Sequence, residues 1–168
     1  MLKKIITGGQ TGVDRSALDV AIELNYEYGG WCPRGRKAED GMIDSIKYAN
    51  LKETSTDQYS QRTEFNVRDS NGTLIIGDGG EDALDRGSKL TIDMTKKYKK
   101  PLFMVNLNEE DNSVNETKII EWLLTNKIEI LNIAGPREET MPGIYKRAES
   151  VLRSLLQKIK SRMKTTIT

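Results

Sequence analysis

The residues best able to do chemistry in this chain are glycines and their polar neighbours, set in three short runs. Gly8-Gly9-Gln10-Thr11-Gly12 follows the apolar stretch Lys4-Ile5-Ile6-Thr7. Glycine admits positive φ and lets a backbone approach a ligand closely, and free N–H groups at a helix start attract anions. Gln10 and Thr11 add side-chain hydrogen bonds. The spacing is neither G-x-G-x-x-G nor a P-loop with its lysine. Two readings stay open, a tight strand-to-helix turn and a ligand contact. Gly77-Asp78-Gly79-Gly80 and then Gly87-Ser88-Lys89-Leu90-Thr91 form a second region, either an anion-binding helix start or a loop with an N-cap serine. Leu131-Asn132-Ile133-Ala134-Gly135-Pro136-Arg137 is a third. Together they point to a long polar ligand such as a phosphorylated one. On this reading Gly9→Val removes binding and leaves the apo protein's stability little changed.

Residues 29–41 place Trp31, Cys32, Arg34, Arg36, Glu39 and Asp40 among four glycines. Arginine forks match phosphate or carboxylate, and an indole can stack on a heteroaromatic ring. Arg34 and Arg36 are therefore candidate ligand contacts, the alternative being pairing with Glu39 and Asp40, with Trp31 covering core. Further on, Arg62, Asn66 and Asp69 share one side of a helix with few apolar positions. Such a stripe suits a subunit contact, a pocket wall or a solvated face.

What is missing narrows the chemistry. The 168 residues contain no histidine and one cysteine, so the usual zinc and non-haem iron ligand sets and Ser-His-Asp or Cys-His catalysis cannot be assembled. Cys32, with no histidine to activate it, is expected to be a small buried residue. Lys plus Arg is 26 and Asp plus Glu 25, a formal charge of +1, which lacks the basic field of a nucleic-acid wrapper. One cysteine argues for a reducing compartment, and no apolar run approaches a membrane span, so a cytoplasmic location is expected. Residues 146–168 carry seven Lys and Arg against Glu149. That basic amphipathic helix is expected to be a core helix with a solvated face rather than a membrane or nucleic-acid binder.

These residues need elements to position them. Buried β-branched runs near 3–7, 72–77, 102–106 and 129–133 alternate with helical spacing over about 14–25, 59–70, 86–98, the region of Ile119 to Leu124, and a long last helix. Asp57 is placed to cap the second helix, and the polar stretches 26–50 and 106–116 are expected to be loops. The alternation predicts a single α/β domain over 1–168, a mainly parallel sheet with helices on both faces. Ligands in such sheets bind at the carboxyl ends of the strands, where the glycine runs fall.

The runs IITGGQTGVDRSALDVAIEL, GGWCPRGRKAEDG, YSQRTEFNVRDSNGTLI and LNIAGPREETMPGIY resemble, in that order, the putative molybdenum carrier family. It is similar to algal molybdenum-cofactor carriers and, more distantly, to the Rossmann-like proteins that include cytokinin-activating phosphoribohydrolases. The resemblance spans Ile5 to about Tyr145. It implies a three-layer Rossmann-like fold, a homo-oligomer (dimer or tetramer) and a phosphorylated pterin-like or nucleotide-like ligand, molybdenum cofactor (molybdopterin) foremost. The implied phosphate-side contacts are Gly8, Gly9, Gln10, Thr11 and Gly12. A second contact region at Gly79, Gly80 and Ser88 departs from the family's usual Gly-Gly-Thr, since the chain has Gly87-Ser88-Lys89 there. The Pro-Gly-Gly-x-Gly-Thr-x-x-Glu motif of the phosphoribohydrolases is absent, which favours binding over hydrolysis. A carrier is thus expected. The alternatives are a nucleotide or phosphoribosyl hydrolase using Glu39, Asp40 or Asp78, and a nucleotide-sensing module.

Overall fold

A computed structural model describes residues 1–79, 85–108 and 112–165. In chain order, β1 (Lys4–Ile6), α1 (Val13–Glu23) and β2 (Glu27–Cys32) lead to a 3-10 turn at Arg34–Arg36. A hairpin of β3 (Lys37–Ala38) and β4 (Gly41–Met42), then β5 (Leu51–Glu53) and α2 (Tyr59–Arg68), follow. The second half runs β6 (Gly72–Gly77), α3 (Arg86–Tyr98), β7 (Leu102–Asn106), α4 (Asn112–Thr125), β8 (Ile130–Ala134) and α5 (Ile144–Thr165). Six strands make one sheet in the order β5-β2-β1-β8-β6-β7, with every neighbouring pair parallel. The expected Rossmann-like α/β fold is what the chain forms. None of the described helices is long and apolar enough to cross a membrane.

The two faces of the sheet are covered differently. Ile5, Leu74, Ile76, Leu131 and Ile133 point to one face and meet Val13, Ala17 and Ala21 of α1, Ile119, Ile120 and Leu123 of α4, and Ile144, Ala148, Leu152, Leu155 and Leu156 of α5. This is the main core, and its residues are those that the helical and strand spacing selects. On the opposite face α2 packs on α3, and the apolar cluster is small, Ile75 and Ile92 with Leu102, Met104 and Ala134 beside them.

Because α2 has little apolar surface to bury, polar contacts hold it. The Asn66 side chain, 2 % exposed, accepts from the Trp31 amide at 2.8 Å and donates to the Trp31 carbonyl at 2.9 Å. It pairs with the end of β2 as another strand would. The Trp31 indole donates to Asp69 at 2.8 Å, and Arg62 lies 3.6 Å from Asp14. Asn66 and Asp69 are therefore satisfied within one chain, and Arg62 faces Asp14, so the stripe gives no argument for a partner subunit.

Several local expectations are corrected. Residues 26–50 hold strand β2, whose sequence EYGGWC has no β-branched residue to announce it. Gly30 has φ +116, and a Cβ there would stand 2.2 Å from the Thr7 carbonyl oxygen, so the glycine allows β2 to press against the end of β1. α4 begins at Asn112, inside the stretch expected to be a loop. Asp57 does not cap α2, which starts from Gln58 without a side-chain cap. α3 is capped by Asp85, whose carboxylate accepts from the Ser88 amide at 2.7 Å, rather than by a serine. α5 is, as expected, a core helix with a solvated basic face, and ion pairs run along that face: Arg153 with Glu23 and Glu149, Lys158 with Glu116, Arg147 with Asp78.

Asn66→Ala should strip both bonds from the Trp31 backbone and leave a part-buried amide and carbonyl unmet, at a cost of about 2–4 kcal/mol. Urea denaturation reads this as a lower midpoint with an unchanged slope.

Candidate functional site

The sheet order sets where a site can form. From β1 the chain passes through α1 to β2 on one side, and from β6 through α3 to β7 on the other, with β8 between β1 and β6. Connections that part in this way leave a crevice at the carboxyl ends of the strands. Here it is a narrow cavity of about 20 Å³, lined by Gln10, Asp14, Arg62, Ser88, Gly135 and Arg137 among others. Elements that are distant in sequence, the turn after β1, α2, the head of α3 and the turn after β8, thus converge at one place.

The glycine turn is occupied by the protein's own groups. The Gly9 amide donates to Thr7 Oγ1 at 3.0 Å, the Gln10 amide to Asp14 Oδ2 at 3.3 Å, the Thr11 amide to Gln10 Oε1 at 3.0 Å, and the Val13 amide to the Pro136 carbonyl at 3.2 Å. Asp14, 3 % exposed, holds its carboxylate at the positive end of α1, where a bound anion would otherwise sit. Burial pushes its carboxyl above the usual carboxylate range, against the opposing pull of Arg62 and the Gln10 amide. The glycines have internal reasons too. A Cβ on Gly8 would lie 2.3 Å from Arg62 Nη1, and one on Gly12, at φ +77, 2.3 Å from the Pro136 carbonyl oxygen. Gly9 sits at φ +72, and its Cβ would meet Leu51 Cδ1 at 2.9 Å and Ile43 Cδ1 at 3.0 Å. The expectation that Gly9→Val spares the apo protein is thereby overturned.

Gln10 is held by two backbone donors, the amides of Thr11 and of Glu39, the latter at 2.9 Å, both on Oε1. That fixes its amide so that Nε2 faces away with no partner. Ser88 Oγ and Arg62 Nε are likewise buried and unpartnered. Among the described residues five buried side-chain polar atoms lack a partner, and three of them belong to residues lining this crevice. An unmet buried polar group costs about 1–3 kcal/mol, so three at one place call for a physical reason. At the lip the ring of Tyr59 has Arg137 at 5.1 Å, Lys37 at 5.3 Å and Arg62 at 5.8 Å from its centre.

The other candidate residues are spread. Thr11 Oγ1 donates to Glu39 and accepts from the Glu138 amide at 3.1 Å, joining the first turn to the turn after β8. Gly79 follows β6 on the same rim, and Gly80 lies outside the described residues. Arg34 is exposed. Arg36 is 8 % exposed, and its guanidinium donates to the carbonyls of Ile43, Leu51, Asp44 and Tyr48 at 2.9–3.3 Å. It fastens its own loop, and neither arginine lines the crevice. The acids considered for hydrolysis each have partners: Glu39 Oε1 with Thr11 and the Glu139 amide, while its buried Oε2 has no hydrogen bond and only Arg137 at 3.8 Å, Asp40 with Arg15 at 3.0 and 3.1 Å, and Asp78 with Arg147 at 2.9 Å. Cys32 is buried, and that burial pushes its thiol up, away from nucleophilic character. Among the described residues no three His, Cys, Asp or Glu side chains come together as a metal site.

In the sequence Arg62 is visible only as part of a polar helix and Arg137 only as the end of the third glycine run, and neither Asp14 nor Tyr59, which stands beside Arg137 at the lip, is marked. Nothing local marks them, because their roles depend on a sheet order that brings residues 10, 62, 88 and 137 together.

Residues 5–156 match the family described as the circularly permutated YpsA SLOG family. None of the curated proteins matches the chain. A crystal structure from Syntrophus aciditrophicus SB, described as a "putative molybdenum carrier protein", is similar to this chain at 45% sequence identity with a TM-score of 0.87. The likeness covers 92% of this chain and 95% of that one.

The packing around the first turn sets a test. Gly9→Ala should lower apo stability by about 1–3 kcal/mol, from a positive φ and two close apolar contacts. Thermal denaturation without any ligand measures this directly.

Proposed function

The chain belongs to the circularly permutated YpsA SLOG family, and from that premise we propose that it carries a small phosphorylated ligand in this crevice. The ligand is molybdenum cofactor or a related pterin or nucleotide. One observation carries the reading: Gln10 Nε2, Ser88 Oγ and Arg62 Nε are buried donors without acceptors, and a phosphoryl oxygen supplies acceptors to all three. The structural relative named as a molybdenum carrier supports the choice of cargo.

The donor set suits the organic and phosphoryl parts of that cargo rather than its metal. With no histidine and a single cysteine, which is buried, this chain offers no soft ligand set, so molybdenum would travel on the pterin dithiolene. Arg62 and Arg137 supply positive charge beside the phosphoryl group, and Tyr59 at the lip supplies a ring against which a heterocycle can stack. Gly8 to Gly12 act chiefly by shaping the turn that presents Gln10 and Asp14. Assembly into a dimer or tetramer belongs to the same proposal and rests on the family resemblance. Light scattering at or above twice 19.0 kDa supports it, and a monomer at all concentrations removes it.

Mass spectrometry of the natively purified, anaerobic protein should find a phosphorylated pterin, and consistent purification without any phosphorylated small molecule would count against the carrier. Ser88→Ala then separates binding from folding. It removes a hydroxyl that has no partner in the apo protein, so apo stability should hold or rise. Ligand affinity should fall about fivefold to tenfold, the worth of about one hydrogen bond. Equal affinities for the two proteins would exclude Ser88 from the site.

A further inference from the structure

The crevice that the carrier reading assigns to the ligand is already filled by an ion pair, and this sets a condition on any anion that enters. Resting on that reading, we propose that ligand binding here is coupled to proton uptake by Asp14: the incoming anion takes Arg62 away from Asp14, and the abandoned carboxylate protonates.

The geometry leaves little alternative route. A cavity of about 20 Å³ holds roughly one water, far less than a tetrahedral oxyanion needs. The group standing in the way is the Arg62 guanidinium, which lies on Gly8 where a side chain would begin, 2.3 Å from the ideal Cβ position. To make room for a ligand it must swing off the turn, and in doing so it leaves Asp14 Oδ2, now 3.6 Å from Nη1. An anion that enters also binds the cation it has displaced, because Arg62 is the crevice's most deeply placed positive charge, its side chain 14% exposed.

Asp14 cannot be left ionised at low cost once this happens. It is 3 % exposed. The groups around it are Arg62 from α2, Asp85 at the head of α3, and the Gln10 and Gly8 amides of the first turn, with Arg137 after β8 lining the same cavity. With Arg62 taken by the ligand, two negative neighbours remain, Asp85 and the anion itself, against the amides of Gln10 and Gly8 and an Arg137 that already pairs with Glu39 at 3.8 Å. A buried carboxyl in that setting favours its neutral form. Burial already pushes Asp14 upward in the free protein, so the bound state raises it further. The sign follows from linkage. Between the free and the bound pKa, binding takes up a proton and the apparent affinity falls as pH rises, by up to tenfold per pH unit. Below both or above both, affinity is independent of pH.

The composition makes the effect readable. With no histidine in the chain, none of the side chains that ordinarily titrate between about pH 5 and 8 is present. The N-terminal ammonium pairs with Glu129, 3.9 Å away, and neither residue lines the crevice. Sulfate is a suitable probe, because it is tetrahedral and does not itself titrate in that window.

Calorimetry of sulfate binding, in two buffers of different ionisation enthalpy between pH 5 and 8, counts the protons. The expected result is uptake of up to one proton per sulfate, a Kd that weakens with rising pH, and loss of both in Asp14→Asn. Circular dichroism and thermal melting check that this variant is folded. Should it not fold, Arg62→Met in the otherwise native chain serves instead, and its sulfate binding should be weaker and free of proton uptake. Binding by the native protein with no proton exchanged and a flat Kd would overturn the coupling and leave the crevice reading intact. Uptake that persists in Asp14→Asn would overturn the assignment to Asp14. No sulfate binding at all would contradict the crevice reading and the coupling with it.

Discussion

A carboxylate buried at the head of the first helix organises the upper half of this molecule. Asp14 is 3 % exposed and sits where α1 presents its positive end, so it draws inward the amide of Gln10 and the guanidinium of Arg62. Burying that charge without partners would be costly. The turn must therefore bend to direct amides at it, and α2 must lie close enough for Arg62 to reach across. Gly8 is required because Arg62 packs on it. Asn66, one turn further along α2, anchors the same helix to the backbone of β2. The helix with few apolar positions is held in place by these contacts.

The second organising fact is close backbone approach. Gly12 meets the Pro136 carbonyl, Gly30 the Thr7 carbonyl and Gly135 the Ile76 carbonyl, each at a distance no Cβ would tolerate. These contacts fix β1, β2, β6 and β8 against one another at their carboxyl ends, and so fix the crevice. Glycine-rich turns on the rim of a parallel sheet are commonly taken as ligand cradles. Here much of the glycine content serves the protein's own packing, and the unpartnered buried donors on the crevice are side chains: Gln10, Arg62 and Ser88.

The main core was legible from spacing alone. Ile144, Ala148, Leu152, Leu155 and Leu156 recur at helical intervals and are all fully buried, and the four β-branched runs became β1, β6, β7 and β8. β2 was not legible, because a strand built on Glu27, Tyr28 and two glycines owes its position to close approach rather than to β propensity. The rim was legible as an address, since strand ends in such sheets converge. Which side chains met there was not. Arg36 has the residue type of a phosphate ligand yet holds four carbonyls of its own loop. Arg62, 48 positions from Asp14 along the chain, is its partner only because α2 crosses the end of β1. Charge type is written locally, while pairing is set by topology.

One claim is central, that three unpartnered buried donors mark the seat of a phosphoryl group. A crystal structure of the protein loaded with its co-purifying phosphorylated ligand tests this most directly. The expected result is phosphoryl oxygens within hydrogen-bond distance of Gln10 Nε2 and Ser88 Oγ, with Arg62 turned from Asp14 onto the ligand. A ligand seated elsewhere, with the Asp14–Arg62 pair intact and those donors still unmet, would contradict it.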